Sequence, residues 1–392
     1  MEIRHLVIGL GQTGFSIAQF LHRRNLPFCV FDTRPAPPML SAFQTAFPQQ
    51  AIYTETMPDA VLDGISEVLV SPGISPQTPI MQEIARRQLP VYGDIECLAR
   101  AVKAPIIGIT GTNGKSTVTS LLGDMATLAG RRVAVGGNIG TPVLDLLEEE
   151  PPFDLWVLEL SSFQLQYTSS LRCAAATILN VTEDHLDWHK DFAEYVAAKQ
   201  RIYKGAQHVV YLETDKNTWP KSPEFSGKSI EFSLGSPAPG HWGILLHAGE
   251  PYLSYGDERL MPIADLNMQG THNWLNALAA AGLASCVGIP KTCIVQALQQ
   301  FEGLSHRCQV VRTLNGVVWI DDSKGTNVGA TESALVGTGS GLSGKIVWIA
   351  GGLGKGADFT AIRKAVAAEV RTALLIGQDA DKIYHAIQDL VP

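Results

Sequence analysis

The chain lacks any run of the ~18 uninterrupted apolar residues that a membrane-spanning helix needs, so membrane insertion is not expected. It lacks a C-x-x-C pair. Its six cysteines, Cys29, Cys97, Cys173, Cys286, Cys293 and Cys308, read as reduced, small core residues of a cytoplasmic protein. It lacks a basic excess: 30 Lys+Arg stand against 38 Asp+Glu, a formal net charge of -8, and broad nucleic-acid binding is not expected. An anionic ligand would need local cations and loop amides instead. There is no H-E-x-x-H, which argues against zinc hydrolysis, and no internal repeat or low-complexity tract. The start, Met1-Glu2-Ile3-Arg4-His5, enters a strand directly and lacks a signal-peptide layout. What remains is an ordinary globular composition, 45% hydrophobic and 17% charged over 392 residues, enough for two or three domains.

The most informative stretch present is Gly111-Thr112-Asn113-Gly114-Lys115-Ser116-Thr117. It follows the apolar run Pro105–Thr110 and precedes a helical pattern, Val118–Leu122. In a strand–loop–helix of this kind, backbone N–H groups cradle phosphates, a lysine reaches the terminal phosphates and a hydroxyl ligates Mg²⁺. ATP binding is therefore expected. One position departs from the standard loop: Ile109 stands five residues before the Gly-Lys pair, where a glycine is usual.

Three α/β segments are predicted, at 1–95, 96–304 and 305–392. The first opens with a strand, His5–Gly9, then Gly9-Leu10-Gly11-Gln12-Thr13-Gly14, a helix, and a strand Phe28–Phe31 ending at Asp32. This Rossmann-like unit has a G-x-G-x-x-G loop and an acid where a ribose partner usually sits. Taken alone it suggests NAD, although Gly11 and Gly14 would equally serve a tight turn and close helix packing. Asp32-Thr33-Arg34 offers groups that read a base or ribose, or that merely cap a turn. The central segment has strands at Arg132–Val135, Leu155–Leu160, Ala176–Asn180 and His208–Leu212, with an irregular, partly antiparallel insertion over about 216–265. The third has strands at Val317–Ile320, Lys345–Ala350 and Ala373–Ile376, each ending at a polar or glycine-rich loop. A doubly wound sheet usually has five or six strands, so this segment is expected to be incomplete.

Glu159 ends an apolar strand beside the phosphate loop, where a Mg²⁺ carboxylate is needed; a buried acid paired with a base is the plainer alternative. In Asn180-Val181-Thr182-Glu183-Asp184-His185-Leu186-Asp187-Trp188-His189, His185 is a metal candidate or a hydrogen-bonded loop residue. His189 and Asp187 read as surface groups. Lys199 falls on a helix and, by spacing alone, reads as solvated.

These segments together resemble the Mur ligase family of ATP-dependent amide-bond ligases. The phosphate loop, Asn180–Asp187, Gly270-Thr271-His272-Asn273 and His306-Arg307 stand in the family's order. Gly9–Gly14, Glu159–Leu165, Asp322–Asn327 and Gly136–Gly140 resemble the branch that adds D-glutamate. The resemblance implies three domains: a Rossmann-like N-terminal one, a central ATPase with a parallel sheet, and a C-terminal Rossmann-like one. It implies phosphorylation of the carboxylate of UDP-N-acetylmuramoyl-L-alanine by ATP, then attack on the acyl phosphate by the amine of D-glutamate. Positioning and charge neutralisation would do most of the work.

The resemblance also implies roles. Lys115, with Gly111, Asn113, Gly114, Ser116 and Thr117, would hold ATP. Ser116 or Thr117 with Glu159 would bind one Mg²⁺, and His185 a second, supported by Lys199 if carbamylated. Asn273 and Asn276 would face adenine, and Arg307 and Asp322 the rest of ATP. Gly14, Asp32, Thr33, Arg34, Ser71 and Gly73 would grip the UDP moiety; Asn138, Ser161 and Gln164 would line the muramoyl-alanine. Lys324, Thr326 and Lys355 would meet D-glutamate. A monomer is expected. The pattern breaks at the end: the family's further strand, Ser-Pro-x-x-x-Ser stretch and closing aromatic are not found, and a D-glutamate pocket short of one wall, hence impaired turnover, is expected. Gly325 and Asp321 stand where Ala and Asn are common, without consequence for the chemistry. The competing readings are a folylpolyglutamate-type ligase, an NAD-dependent dehydrogenase and a non-catalytic nucleotide-binding regulator. The dehydrogenase reading leaves Lys115, Glu159 and His185 without roles.

Overall fold

The computed structural model describes residues 4–186, 188–221, 225–268, 270–339, 343–354 and 356–392. Strand β1 (His5–Ile8) is buried at every position, as a strand covered on both faces must be. It joins β2 (Phe28–Asp32), β3 (Ile52–Thr54), β4 (Glu67–Val70) and β5 (Val91–Tyr92) in a parallel sheet of order β3-β2-β1-β4-β5. The chain winds one way to β2 and the other to β4. The loops leaving β1 and β4 therefore part at the switch point, where open α/β sheets bind ligands.

A nine-stranded sheet follows. Its strands are β6 (Ile106–Thr110), β7 (Val133–Gly137), β8 (Leu155–Glu159), β9 (Ala175–Ile178), β10 (His208–Leu212), β11 (Lys228–Phe232), β12 (Trp242–His247), β13 (Glu250–Tyr255) and β14 (Glu258–Pro262). The order is β14-β13-β12-β11-β10-β9-β6-β8-β7. The predicted insertion is more regular than expected: β11 adds in parallel to β10, and β12 to β14 form an antiparallel meander on the same sheet. Helices Lys115–Leu128 and Thr271–Cys286 share one core with Ile107, Ile109, Leu155 and Val157 of the sheet. Leu121 and Leu122 are fully buried there, a contribution of roughly 1.5–3 kcal/mol each.

Between the first two sheets runs helix Asp94–Ala101. Its buried Glu96 accepts from the backbone N–H groups of Ser169 (2.7 Å) and Ser170 (2.9 Å) and from the Ser170 hydroxyl (2.8 Å).

The third segment departs from its prediction. Val317–Ile320 was expected to be a parallel strand, but it lies in β16 (Val317–Asp321), which folds back antiparallel on β15 (Gln309–Leu314). The cause is the turn Asn315-Gly316, both residues at positive φ (51° and 77°); Asn-Gly between apolar runs is the strongest short-range hairpin signal. β17 (Ile346–Gly351) and β18 (Val370–Ile376) pair in parallel. Helices Val328–Gly339, Arg363–Glu369 and Ala380–Ile387 supply Leu335, Val366, Ile383 and Ile387 to their core. Four strands are thus described where three were expected, in two separate two-stranded sheets.

Candidate active site

The phosphate-type loop leaves β6 and enters helix Lys115–Leu128 through Gly114, whose φ of +83° is left-handed. A Cβ there would also lie 2.4 Å from Asn276 Oδ1, so only glycine fits. The loop is braced from the end of β9. The Asn180 carboxamide reads the Asn113 peptide on both sides: Asn113 N–H donates to Asn180 Oδ1 (2.9 Å), and Asn180 Nδ2 donates to the Asn113 carbonyl (3.0 Å). Thr112 Oγ1 donates to the Thr182 carbonyl at 3.1 Å. Sequence reasoning gave Asn180 no role of its own.

Two lysine side chains converge on this loop. Lys115 Nζ donates to the carbonyls of Gly111 (2.9 Å) and Thr112 (2.8 Å). Lys199 Nζ donates to the same Gly111 oxygen at 2.9 Å. Lys199 is 2% exposed, which overturns the reading from spacing that it is solvated. Burial holds both side chains below the usual lysine range, Lys199 well below it, where the Lys115 charge adds to the effect.

Glu159 ends β8 beside them and is 2% exposed. Its Oε1 accepts from Asn138 Nδ2 at 2.9 Å, and its Oε2 is buried with no hydrogen-bond partner. A buried, half-unsatisfied carboxylate is costly unless a cation completes it. Ser116 and Thr117, both 8% exposed, stand in the first turn of the adjoining helix. Among the described residues no three His, Cys, Asp or Glu side chains form a ready-made metal site. Mg²⁺ is usually held by one or two carboxylates and completed by substrate phosphate oxygens.

His185 sits at φ +55°, with its Nε2 3.6 Å from Asp184 Oδ2 and its ring 4.8 Å from that of Phe163. His189 was expected at the surface but is 2% exposed, with Nε2 2.9 Å from Ser162 Oγ and its ring stacked on Phe163. The apolar faces of Phe163 and Tyr195 enclose it. Asp187 and Lys355 lie outside the described residues.

Asn276 Nδ2 donates to Asn273 Oδ1 (3.1 Å), which sets this pair beside Gly114. From the third segment, Arg307 Nη2 donates to Ser116 Oγ at 3.1 Å. Asp322 is half-buried and accepts from the Cys308 N–H at 3.1 Å; burial raises its carboxyl. Lys324 and Thr326 are exposed. Ser161 and Gln164 form a capping box, each side chain serving the other's backbone.

At the first glycine loop, the space above Gly14 is closed. A Cβ there would lie 1.8 Å from the Gly9 carbonyl oxygen, to which Ser71 Oγ also donates at 3.0 Å. Asp32, fully buried, already has partners: the Leu10 N–H at 2.7 Å and the Arg34 guanidinium at 2.7 and 2.9 Å. Burial alone would raise this carboxyl, but the Arg34 and Leu10 hydrogen bonds outweigh it and hold it below the usual range. An acid so engaged is poorly placed to take the hydroxyls of a nicotinamide ribose, which disfavours the dehydrogenase reading. Thr33, Arg34 and Gly73 are exposed around it. A cavity of about 470 Å³ lies beside this loop, lined by Gln12, Phe15, Met39 and Gly140–Pro142.

Three family models match the chain: Mur ligase MurD-like N-terminal domain over residues 3–93, Mur ligase middle domain over 109–284, and Mur ligase glutamate ligase domain over 306–391. The chain is 52% identical over 389 residues to UDP-N-acetylmuramoylalanine--D-glutamate ligase of Legionella pneumophila (strain Paris), covering 99% of this chain and 87% of that protein. It is 44% identical over 387 residues to the ligase of the same name from Pseudomonas aeruginosa, covering 99% and 86%. Its fold is like that of UDP-N-acetylmuramate-alanine ligase MurC from Thermotoga maritima, with a TM-score of 0.61 at 16% identity over 99% of this chain and 89% of that one. A pseudomurein peptide ligase type C from Methanothermus fervidus gives 0.61 at 18% identity, over 100% and 88%. With 52% identity across nearly its whole length and matches in all three segments, the chain belongs to the Mur ligase family of ATP-dependent amide ligases.

Proposed function

We propose that the chain joins D-glutamate to UDP-N-acetylmuramoyl-L-alanine, with ATP converted to ADP and phosphate, in the cytoplasmic synthesis of a peptidoglycan precursor. The observation that carries this reading is the meeting of Lys115 and Lys199 at the Gly111 carbonyl, each Nζ 2.9 Å from it, beside the unsatisfied oxygen of Glu159. The half-buried Lys115 ammonium calls for an anion, and the buried Lys199 amine for conversion to one. The β- and γ-phosphates of ATP serve Lys115. Lys199, whose burial favours the neutral amine, attacks CO₂ and loses one proton to become a carbamate. The names of the relatives support the choice of D-glutamate and of the muramoyl-alanine acceptor.

In the proposed sequence, a carboxylate oxygen of the muramoyl-alanine attacks the γ-phosphorus and ADP leaves. The amine of D-glutamate then attacks the acyl carbon, loses a proton, and phosphate departs as the amide forms. Lys115 balances the charge on the transferring phosphoryl group, and the loop amides hold it in line. Ser116 or Thr117 with Glu159, and His185 with carbamylated Lys199, would hold two Mg²⁺ ions, which neutralise phosphate charge. Asn273 and Asn276 take the adenine side, and Arg307 and Asp322 the remainder of the nucleotide. Gly14, Asp32, Thr33, Arg34, Ser71 and Gly73 take the uridine diphosphate; Asn138, Ser161 and Gln164 take the muramoyl-alanine. Lys324, Thr326 and Lys355 take the two carboxylates of D-glutamate. The chain acts as a monomer.

The test is phosphate release with ATP, UDP-N-acetylmuramoyl-L-alanine and D-glutamate, each omitted in turn. Release is expected only with all three. Release that ignores D-glutamate, or none with the full set, sinks the reading. A carbamate signal in ¹³C spectra of enzyme equilibrated with labelled bicarbonate, lost in Lys199→Ala, checks the modification.

A further inference from the structure

The loop that precedes helix Val328–Gly339 reaches the phosphate-type loop directly, through a residue to which no role has been given. Asn327 Nδ2 donates to Asn113 Oδ1 at 3.0 Å, and Asn113 Nδ2 donates back to Asn327 Oδ1 at 3.4 Å. The second N–H of Asn327 points at Asp184 Oδ2, 3.4 Å away, next to His185. Its Oδ1 also accepts from the Ala330 N–H at 2.8 Å, which makes Asn327 the cap of its own helix. A carboxamide has two donors and two acceptor lone pairs, and here all four are engaged by three separate elements. On the other side, Asn180 fixes the Asn113 peptide. Asn113 is thus held between the central sheet, which grips its backbone, and the third segment, which grips its side chain.

We propose that Asn327 is a positioning residue that registers the third segment on the nucleotide loop, so that the groups it carries, Arg307 and Lys324 among them, meet the reacting atoms only when Asn113 is in place. This rests on the ligase reading above. Nucleotide binding by itself does not need the contact, because Asn180 braces the loop independently. Joining the amino acid to the activated carboxylate does need it, because two segments must be held in one geometry.

The decisive variant is Asn327→Ser, which keeps a good helix cap but cannot make the amide pair. The expected result is a fall in kcat of about tenfold or more, with the Kd for a fluorescent ATP analogue within about threefold of wild type and Tm essentially unchanged. If Asn113 and Asn327 act as one unit, Asn113→Ala and Asn113→Ala/Asn327→Ser should have nearly the same kcat, a non-additive cycle. Wild-type kcat in Asn327→Ser, or effects that multiply in the double variant, would overturn the proposal and leave the ligase reading intact. A wild-type chain that fails to ligate D-glutamate overturns the reading and the proposal together.

Discussion

The chain carries two glycine-rich loops, each leaving a buried parallel strand and opening a helix, and they are built for different tasks. At Gly9–Gly14 the anion-seeking amide of Leu10 is already taken by Asp32, and the guanidinium of Arg34 closes over the same carboxylate. The helix packs so tightly on the strand that a single methyl at Gly14 would strike the Gly9 carbonyl. At Gly111–Lys115 the loop is braced by asparagine carboxamides, and the amino groups of Lys115 and Lys199 donate to backbone carbonyls rather than to a carboxylate. One loop is electrostatically closed, and the other is electrostatically incomplete. The difference teaches that a glycine fingerprint fixes close packing of strand and helix, whereas what binds there is decided by the charges placed around it.

The largest effect should come from the incomplete loop. Lys115→Ala removes the cation facing the transferring phosphoryl group, and ADP formation should fall by about 10²–10³-fold or more; binding of UDP at the first loop should not change. Ligation at the wild-type rate would erase the contrast between the loops. Next comes Gly14→Ala at the closed loop. The new Cβ meets backbone rather than a side chain that can yield, so the loss of stability should reach about 3 kcal/mol, the upper end for overpacking. Urea unfolding measures it, and a loss under 1 kcal/mol would show that the helix tolerates the shift.

Much of this contrast was legible in the sequence. Both loops, Asp32 and Glu159 follow from a strand pattern ending at a glycine run or an acid. Lys199 was not legible by periodicity, because helix Phe192–Gln200 buries Tyr195, Val196, Ala198 and Lys199 without a clean polar face. The signal that was there is the four-residue spacing from the aromatic Tyr195, whose ring lies 4.4 Å from Lys199 Nζ. His189 was misread because Asp187, Lys190 and Asp191 lie close to it in sequence, whereas its cover, Phe163 and Tyr195, comes from other elements. The hairpin at Asn315-Gly316 was overlooked although its turn chemistry is local and strong, since the expectation of a parallel sheet overrode it. Asn180 and Asn327 were invisible as a pair of braces, because their shared target, Asn113, lies 67 residues before one and 214 before the other.

The helix that follows the first sheet gives a third effect. Asp94, on the helix that leaves the first sheet, is buried with its Oδ1 unpartnered, and burial pushes its carboxyl up to about 6. A raised acid favours the protonated form in the folded chain. Its contribution is therefore fully present below the unfolded value near 4 and is lost as pH rises through about 6. The shift corresponds to roughly 2–3 kcal/mol. Asp94→Asn should flatten the fall in stability between pH 4 and 7; an unchanged slope would mean that other groups set it.

The smallest effect tests the closed loop in its proposed role. Asp32→Asn keeps an oxygen for the Leu10 amide but removes the charge that holds Arg34. The guanidinium then loses its fixed position, half exposed at the mouth of the crevice. If Asp32 and Arg34 grip the uridine diphosphate, remote from the reacting carboxylate, the variant should raise KM for the UDP substrate about tenfold with kcat within about twofold, the signature of lost uniform binding. KM for ATP should not move, because that site is completed by other charges. A fall in kcat at unchanged KM would mean instead that the closed loop reports on chemistry, and that the two loops are more tightly coupled than their separate electrostatics imply.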